Sequence, residues 1–402
     1  MGAPALARII GRMHEPDIPP DNPSAPVDKP IEGREDDVEI SPQRRRVFII
    51  ATLGFFLVLA AFIVRFMLPA YSGRITAHWH GSIIYDEQDQ RVPRANTSYP
   101  YKMCSLADET DCREYVMRHV EHGIIRTEPV GPHPGRPLVL LIGDSHMYGF
   151  NDPTQNTDHL LEQQLRSHPA LMNATVLNAS CQSYSLFEYV VRARSLWDEY
   201  GPDMLLVVIH VGNDLVELED VHRPHLDDRL REQPTNWDPP AERTTDRSKL
   251  FKQYVDTERN GWFQQGMNQS IYFLREPERY PITLAKARRS IELLQELCRE
   301  KQAKLLIAML PAYIDLIDYE VPFAIEPPLS GILEMKIQRR ARSDLHEICQ
   351  EAGVNTIDLF SILHVDHPAE LYCADLHVWV PGHKIIAETL EPLVSEILLK
   401  RP

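Results

Sequence analysis

The chain has 402 residues, 43% of them hydrophobic, and a formal net charge of −16. That length holds one large domain or two ordinary ones, with enough apolar material for a proper core. The acidic balance argues against a nucleic-acid partner, which would require a clustered basic face.

Residues 1–46 are rich in proline and acid, as in Pro16-Asp17-Ile18-Pro19-Pro20-Asp21-Asn22-Pro23. They lack a sustained apolar period and read as a disordered tail. Arg44-Arg45-Arg46 then precedes a charge-free stretch, Val47–Val64, with Leu68 and Pro69 beyond it. At ~1.5 Å per residue, residues 47–68 cover a bilayer core of about 30 Å, which predicts a transmembrane helix. Arg65 can snorkel from its far end, and Pro69 closes it. A cleaved signal peptide fits less well, because its apolar region runs only about 7–15 residues. The three arginines favour a cytoplasmic N-terminus and an extracytoplasmic remainder. Arg65 and Arg74 weigh the other way without reversing that orientation. The span also makes the membrane a partner of this chain.

All six cysteines (Cys104, Cys112, Cys181, Cys298, Cys349, Cys373) lie beyond the span, on the side where disulfides persist. Cys104 with Cys112 is the favoured local bridge. Cys298 and Cys349 sit on apolar helix faces, where buried free thiols are common. No Cys-x-x-Cys pair or zinc-finger histidine spacing occurs, so neither a metal nor a cofactor is expected. Residues 69–137 are polar, with scattered proline and tyrosine and little clean periodicity. They read as a stalk, or as a small N-terminal extension packed on the domain that follows.

From Leu138 to the end of the chain, short apolar runs alternate with helical patterns. Strands are expected at Leu138–Ile142, Thr175–Asn178, Met204–His210, Lys304–Leu310 and Asn355–Leu359. Helices are expected at Asp158–Ser167, Leu186–Glu199, Ala285–Lys301, Gly331–Ala352 and Lys384–Leu399. This alternation implies an α/β domain over 138–402, with a parallel five-stranded sheet covered on both faces. A charged insertion at about 215–280, carrying Trp237, Trp262 and Phe263, interrupts the pattern and reads as an ordered lid.

In such sheets, ligands bind beyond the carboxyl ends of the strands. The first strand ends in Gly143-Asp144-Ser145, which would hold a serine beside the amide donors of a helix N-terminus. The second leads into Asn178-Ala179-Ser180-Cys181-Gln182-Ser183 and the third into Val211-Gly212-Asn213-Asp214. Near the C-terminus stands Asp375-Leu376-His377. A hydroxyl is a poor nucleophile unless a base accepts its proton, and imidazole suits that task near neutral pH. A carboxylate fixes the imidazole tautomer and stabilises the imidazolium. An asparagine amide can stabilise the oxyanion that forms on an attacked carbonyl.

With these four motifs in this order, residues 138–399 resemble the SGNH, or GDSL-like, hydrolase family of serine esterases. The resemblance implies a flavodoxin-like three-layer α/β/α sandwich. It also implies Ser145 as nucleophile, His377 as general base and Asp375 as its orienting acid. The implied oxyanion hole comprises the backbone N–H groups of Ser145 and Ser183 with the Asn213 side chain. Two departures stand out. Ser183 occupies a position the family usually gives to glycine, and Asp375-x-His377 replaces the common Asp-x-x-His spacing. The shorter spacing occurs among relatives that move acetyl groups on polysaccharides. Asp366, beside His367, is a weaker choice of orienting acid. His146 is left without a role, and His383 reads as structural. The expectation is a membrane-anchored extracytoplasmic esterase that removes acyl groups, with acetyl favoured, from a carbohydrate or lipid. The alternatives are an O-acyltransferase acting on a cell-surface polysaccharide with the same triad, and a catalytically weak or inactive binding protein of this fold.

Overall fold

The computed structural model describes residues 91–219 (except 109, 132 and 133), 268–317 and 336–400, with short isolated pieces elsewhere. Almost all of 47–68 and most of the insertion lie outside the described residues. Among those that are described, no helix is long and apolar enough to cross a membrane.

Residues assigned from sequence to a stalk or extension form an antiparallel hairpin, β1 (Thr97–Cys104) with β2 (Cys112–His119). Tyr101, Met103, Tyr115 and Met117 alternate along the two strands and turn their side chains inward, while Pro100, Glu114, Val116 and Arg118 face solvent. Cys104 pairs with Cys112 in the register, and a disulfide joins them there.

The main sheet follows. Strand β3 (Leu138–Gly143) leads into helix α1 (Ser145–Tyr148), and α2 (Thr157–Ser167) leads to β4 (Thr175–Asn178). Helix α3 (Leu186–Tyr200) precedes β5 (Met204–His210) and the short α4 (Asp214–Leu218). After α5 (Asn268–Arg275) and α6 (Arg279–Glu300) comes β6 (Lys304–Leu310). Helix α7 (Lys336–Glu351), β7 (Asn355–Asp358) and α8 (Val380–Leu399) complete the fold. All four pairings in this sheet are parallel, and the spatial order is β4-β3-β5-β6-β7. Counted along the main sheet alone, this is the 2-1-3-4-5 order of flavodoxin-like folds, whose switch point lies beside the first strand.

The apolar run of β3 is continuous because both of its faces are covered. Leu138, Leu140 and Ile142 pack with α3, α6 and α7, whereas Val139 and Leu141 pack with α2 and α8. Each such side chain contributes roughly 1.5–3 kcal/mol when fully buried.

Three helix starts differ from the sequence reading by about a turn or more. Helix α6 begins at Arg279 rather than Ala285, because Pro281 falls in the first turn, where its missing N–H costs nothing. For the same reason α8 begins at Val380, with Pro381 in its first turn, rather than at Lys384. The helix expected from Gly331 starts instead at Lys336, because Ser330–Leu333 pairs as a strand with Val321–Ala324. Local periodicity carries no information about that distant partner.

Candidate active site

Ser145 sits where β3 turns into α1. Asp144 caps that helix, its Oδ1 accepting from the His146 N–H at 2.9 Å. Gly143 is required at this turn: a Cβ there would lie 2.8 Å from the Met147 side chain. The loop before α8 approaches from the other end of the chain and places His377 Nε2 2.8 Å from Ser145 Oγ. His377 Nδ1 lies 3.0 Å from Asp375 Oδ1. Ser145, His377 and Asp375 therefore form one connected constellation, almost closed to solvent at the serine and the histidine.

The one-residue spacing works through an unusual backbone. Leu376 adopts φ +69°, a left-handed conformation that a bulky residue rarely takes, and its side chain is fully buried. The loop is closed by hydrogen bonds from Leu376 N–H to Cys373 O at 2.8 Å and from Cys373 N–H to His377 O at 2.9 Å. Cys373 Sγ also donates to Asp375 Oδ1 at 3.0 Å. Burial alone would raise the Asp375 pKa, but the charge and hydrogen bond of His377 outweigh it and hold the carboxyl below its ordinary value. Asp144 behaves oppositely: burial dominates and pushes its pKa up, toward the neutral form. Two carboxyls near one histidine are thus driven apart, and Asp375 is the one kept ionised.

The oxyanion candidates are placed less uniformly. Asn213 Oδ1 lies 2.6 Å from His210 Nδ1, and Asn213 Nδ2 donates one hydrogen to Glu217 Oε1 at 3.1 Å. Of its two N–H groups, the other is the one free to act as a donor. Ser183 takes φ +55°, the left-handed conformation that a glycine would adopt without cost. The loop keeps its glycine-like shape with a serine in it, at a cost of roughly 1–2 kcal/mol.

Several residues outside the proposed triad and oxyanion hole support the site. The His146 ring lies between those of His210 and His377, with centroids 3.8 and 4.7 Å away. Phe150 meets the His377 ring edge-on at 4.4 Å. Asn178, at the end of β4, donates to Met147 O at 2.8 Å and to Asp158 Oδ1 at 2.9 Å, tying α1 to α2. His383 is buried at the start of α8, with Nδ1 2.9 Å from Thr157 Oγ1. Asp144, His146 and His210 also bring ligand-type atoms within 4.8 Å of one another. Two of those groups already have bonds inside the protein: Asp144 Oδ1 to the His146 N–H, and His210 Nδ1 to Asn213. Burial lowers the His210 pKa to about 3, so this ring is neutral. The cluster reads as a packed floor beneath the nucleophile. Asp366 and His367 make no contact with the triad among the described hydrogen bonds and ion pairs.

The N-terminal hairpin closes one side of the site. Ser105 bridges Cys373, and Ala374 N–H donates to Cys104 O at 2.9 Å. Tyr101, Met103, Tyr115 and Met117 pack with Tyr148, Phe150, Cys373 and Trp379.

No family model and no curated protein matches the chain. Solved structures do align with it. TesA aligns at 14% identity and TM-score 0.37, covering 65% of this chain and 99% of its own. The acetyl xylan esterase AlAXEase aligns at 12% and 0.38, covering 64% and 99%. The lipase/acylhydrolase from Enterococcus faecalis aligns at 13% and 0.33, covering 64% and 95%. Likeness this distant carries no chemistry across, and the site must be judged by its own atoms.

Proposed function

We propose that the protein is a serine esterase that releases acyl groups, acetyl above all, from an acylated carbohydrate or lipid. The observation that carries this reading is the continuous contact from Ser145 Oγ through the His377 ring to Asp375. His377 Nε2 takes the Ser145 proton as Oγ attacks the ester carbonyl. Negative charge then develops on the carbonyl oxygen, to be met by the Ser145 and Ser183 backbone N–H groups and the free N–H of Asn213. One such donor is typically worth about 2.7–4 kcal/mol in the transition state. Collapse breaks the ester C–O bond, and the alcohol leaves with the proton from His377. Water then attacks the acyl-serine under His377 base catalysis, releasing the acid and restoring Ser145. Asp375 acts through His377, fixing its tautomer and stabilising its cationic form.

Residues 47–68 are proposed to anchor the chain with the site outside the cytoplasm. The Cys104–Cys112 disulfide supports that placement, because such bridges persist in oxidising compartments. A reporter fused after Tyr71 that scores as cytoplasmic would overturn it. The Asp375-x-His377 spacing favours a second reading, in which a sugar hydroxyl replaces water and the protein is an O-acyltransferase. Supplying an acyl donor with a glycan acceptor separates transfer from hydrolysis.

The full-length protein is expected to hydrolyse p-nitrophenyl acetate and to be labelled at Ser145 by a fluorophosphonate, with Ser145→Ala abolishing both. If the wild type shows neither turnover nor labelling, the enzyme readings fail and a binding protein remains.

A further inference from the structure

Asn213 stands at the N-cap of α4, with φ −142° and ψ −20°. An asparagine there ordinarily turns its side-chain oxygen onto the N–H of the second or third helical residue, here Leu215 or Val216. That bond would commit the side chain to its own helix. Asn213 does not make it. Its Oδ1 faces His210 Nδ1 at 2.6 Å instead, and its Nδ2 donates to Glu217 Oε1 at 3.1 Å. The Val216 N–H goes to another side chain. Gln269 Oε1 accepts it at 3.2 Å, while Gln269 Nε2 donates to Val211 O at 2.6 Å. One amide thus spans the turn that carries Asn213, holding it on both sides.

Gln269 lies on α5, in the stretch that interrupts the alternation of strands and helices, yet it is fully buried. The chain around it is tied down separately. Ser270 Oγ donates to Gln338 Oε1 on α7, and Gln338 Nε2 donates to Gly266 O at 2.5 Å. A Cβ at Gly266 would lie 2.7 Å from Ile314 Cδ1, so the backbone ahead of α5 packs closely on the segment after β6. We infer that Gln269 is a positioning residue: it caps α4 in place of Asn213 and so leaves the Asn213 side chain on His210, with an N–H available to the oxyanion. The inference rests on the esterase reading and adds to it the group that holds its side-chain donor. Gln269 acts only through Asn213. Without it, the Val216 N–H loses that acceptor, and the N-cap oxygen of Asn213 is the group placed by chain position to replace it.

Two variants of the full-length protein test this. Gln269→Met keeps the side-chain length and removes both hydrogen bonds. Gln269→Glu keeps both, because burial holds a carboxyl in its acid form, with one oxygen to accept from Val216 and an O–H to donate to Val211. Crystal structures are expected to show Asn213 Oδ1 on the Val216 N–H in Gln269→Met and still on His210 Nδ1 in Gln269→Glu. If Asn213 stays on His210 in Gln269→Met, or leaves it in Gln269→Glu, the capping role is overturned whether or not the protein is an esterase. The second variant can refute the inference even where the first does not fold. With p-nitrophenyl acetate, Gln269→Met is expected to lose about 10²-fold in kcat with KM unchanged, as when one oxyanion donor is removed. Gln269→Glu is expected to match wild type to within a few-fold. In an Asn213→Ala background, Gln269→Met is expected to cost nothing more, since its effect passes through Asn213. An equally large loss in that background assigns Gln269 to packing alone and refutes the inference. An inactive wild type refutes the esterase reading, and the crystal structures still decide the capping role.

Discussion

At Asp144 and Asp375, one side-chain type does two jobs because the two surroundings differ. Asp375 faces the His377 ring at 3.0 Å and also accepts from Cys373, so its charge is stabilised. Asp144 is fully buried, spends one oxygen on the His146 N–H, and is pushed toward its neutral form. Asp144→Asn therefore replaces a neutral acid by a neutral amide and is expected to keep kcat within about tenfold of wild type. Asp375→Asn removes the charge that orients the base and is expected to cost about 10⁴ in kcat. Steady-state hydrolysis of p-nitrophenyl acetate distinguishes them, and an Asp144→Asn loss as deep as that of Asp375→Asn would reverse the assignment. The sequence revealed which residues could meet here, since the proposed nucleophile follows a recognisable strand end and the proposed acid and base stand together as Asp-x-His ahead of the last helix. It gave no sign of Leu376 at φ +69°, because no local signal marks a leucine forced into a left-handed turn by the residues around it.

At the level of elements, strands were the most legible and the hairpin the least. All five sheet strands lie within one residue of their expected limits; in β3, β5 and β6 two-sided burial writes an almost unbroken apolar run, whereas β7 is a partly exposed edge strand. The alternation Tyr101, Met103 and Tyr115, Met117 was present in the sequence, but Pro100 and the charged residues between obscured it. The hairpin is held at its tip by the Cys104–Cys112 bridge and beyond its base by Arg126. The Arg126 guanidinium meets the buried Glu162 carboxylate through two hydrogen bonds at 2.9 and 3.0 Å. The disulfide tip touches the loop that carries Asp375 and His377. Replacing both cysteines by alanine is expected to lower stability by about 2 kcal/mol or more. Because the catalytic loop leans on that tip, esterase activity should fall alongside it. Thermal melts and p-nitrophenyl acetate turnover check this, and full activity in a destabilised variant would show that the hairpin does not position the loop.

For the molecule as a whole, burial sets two groups of titrating residues against each other. His119, His210 and His383 are driven down to about 4, 3 and 3, so unfolding lets each take up a proton below about pH 6.5. Their contribution to stability is present above that pH and is lost as pH falls toward 4. Asp158 and Asp315 are pushed up to about 7, so they are protonated when folded and ionise on unfolding. Their contribution is present at low pH and is lost as pH rises from about 4 to 7. The two sets oppose each other over the same window. Asp158→Asn removes one opposing member, and its stability relative to wild type is expected to rise with pH by on the order of 1 kcal/mol per unit between pH 4 and 7. Urea unfolding at several pH values measures that slope, and a parallel pair of curves would place the Asp158 proton elsewhere. The contact between Ser145 and His377 joins residues 232 positions apart. At roughly 5–20 residues per second of synthesis, the base is made some tens of seconds after the nucleophile. Throughout that interval the hairpin, its disulfide cysteines and the first strands already exist, while the serine has no base. On the proposed esterase reading, the site is chemically silent as the chain is made, and it is armed only when the last helix docks.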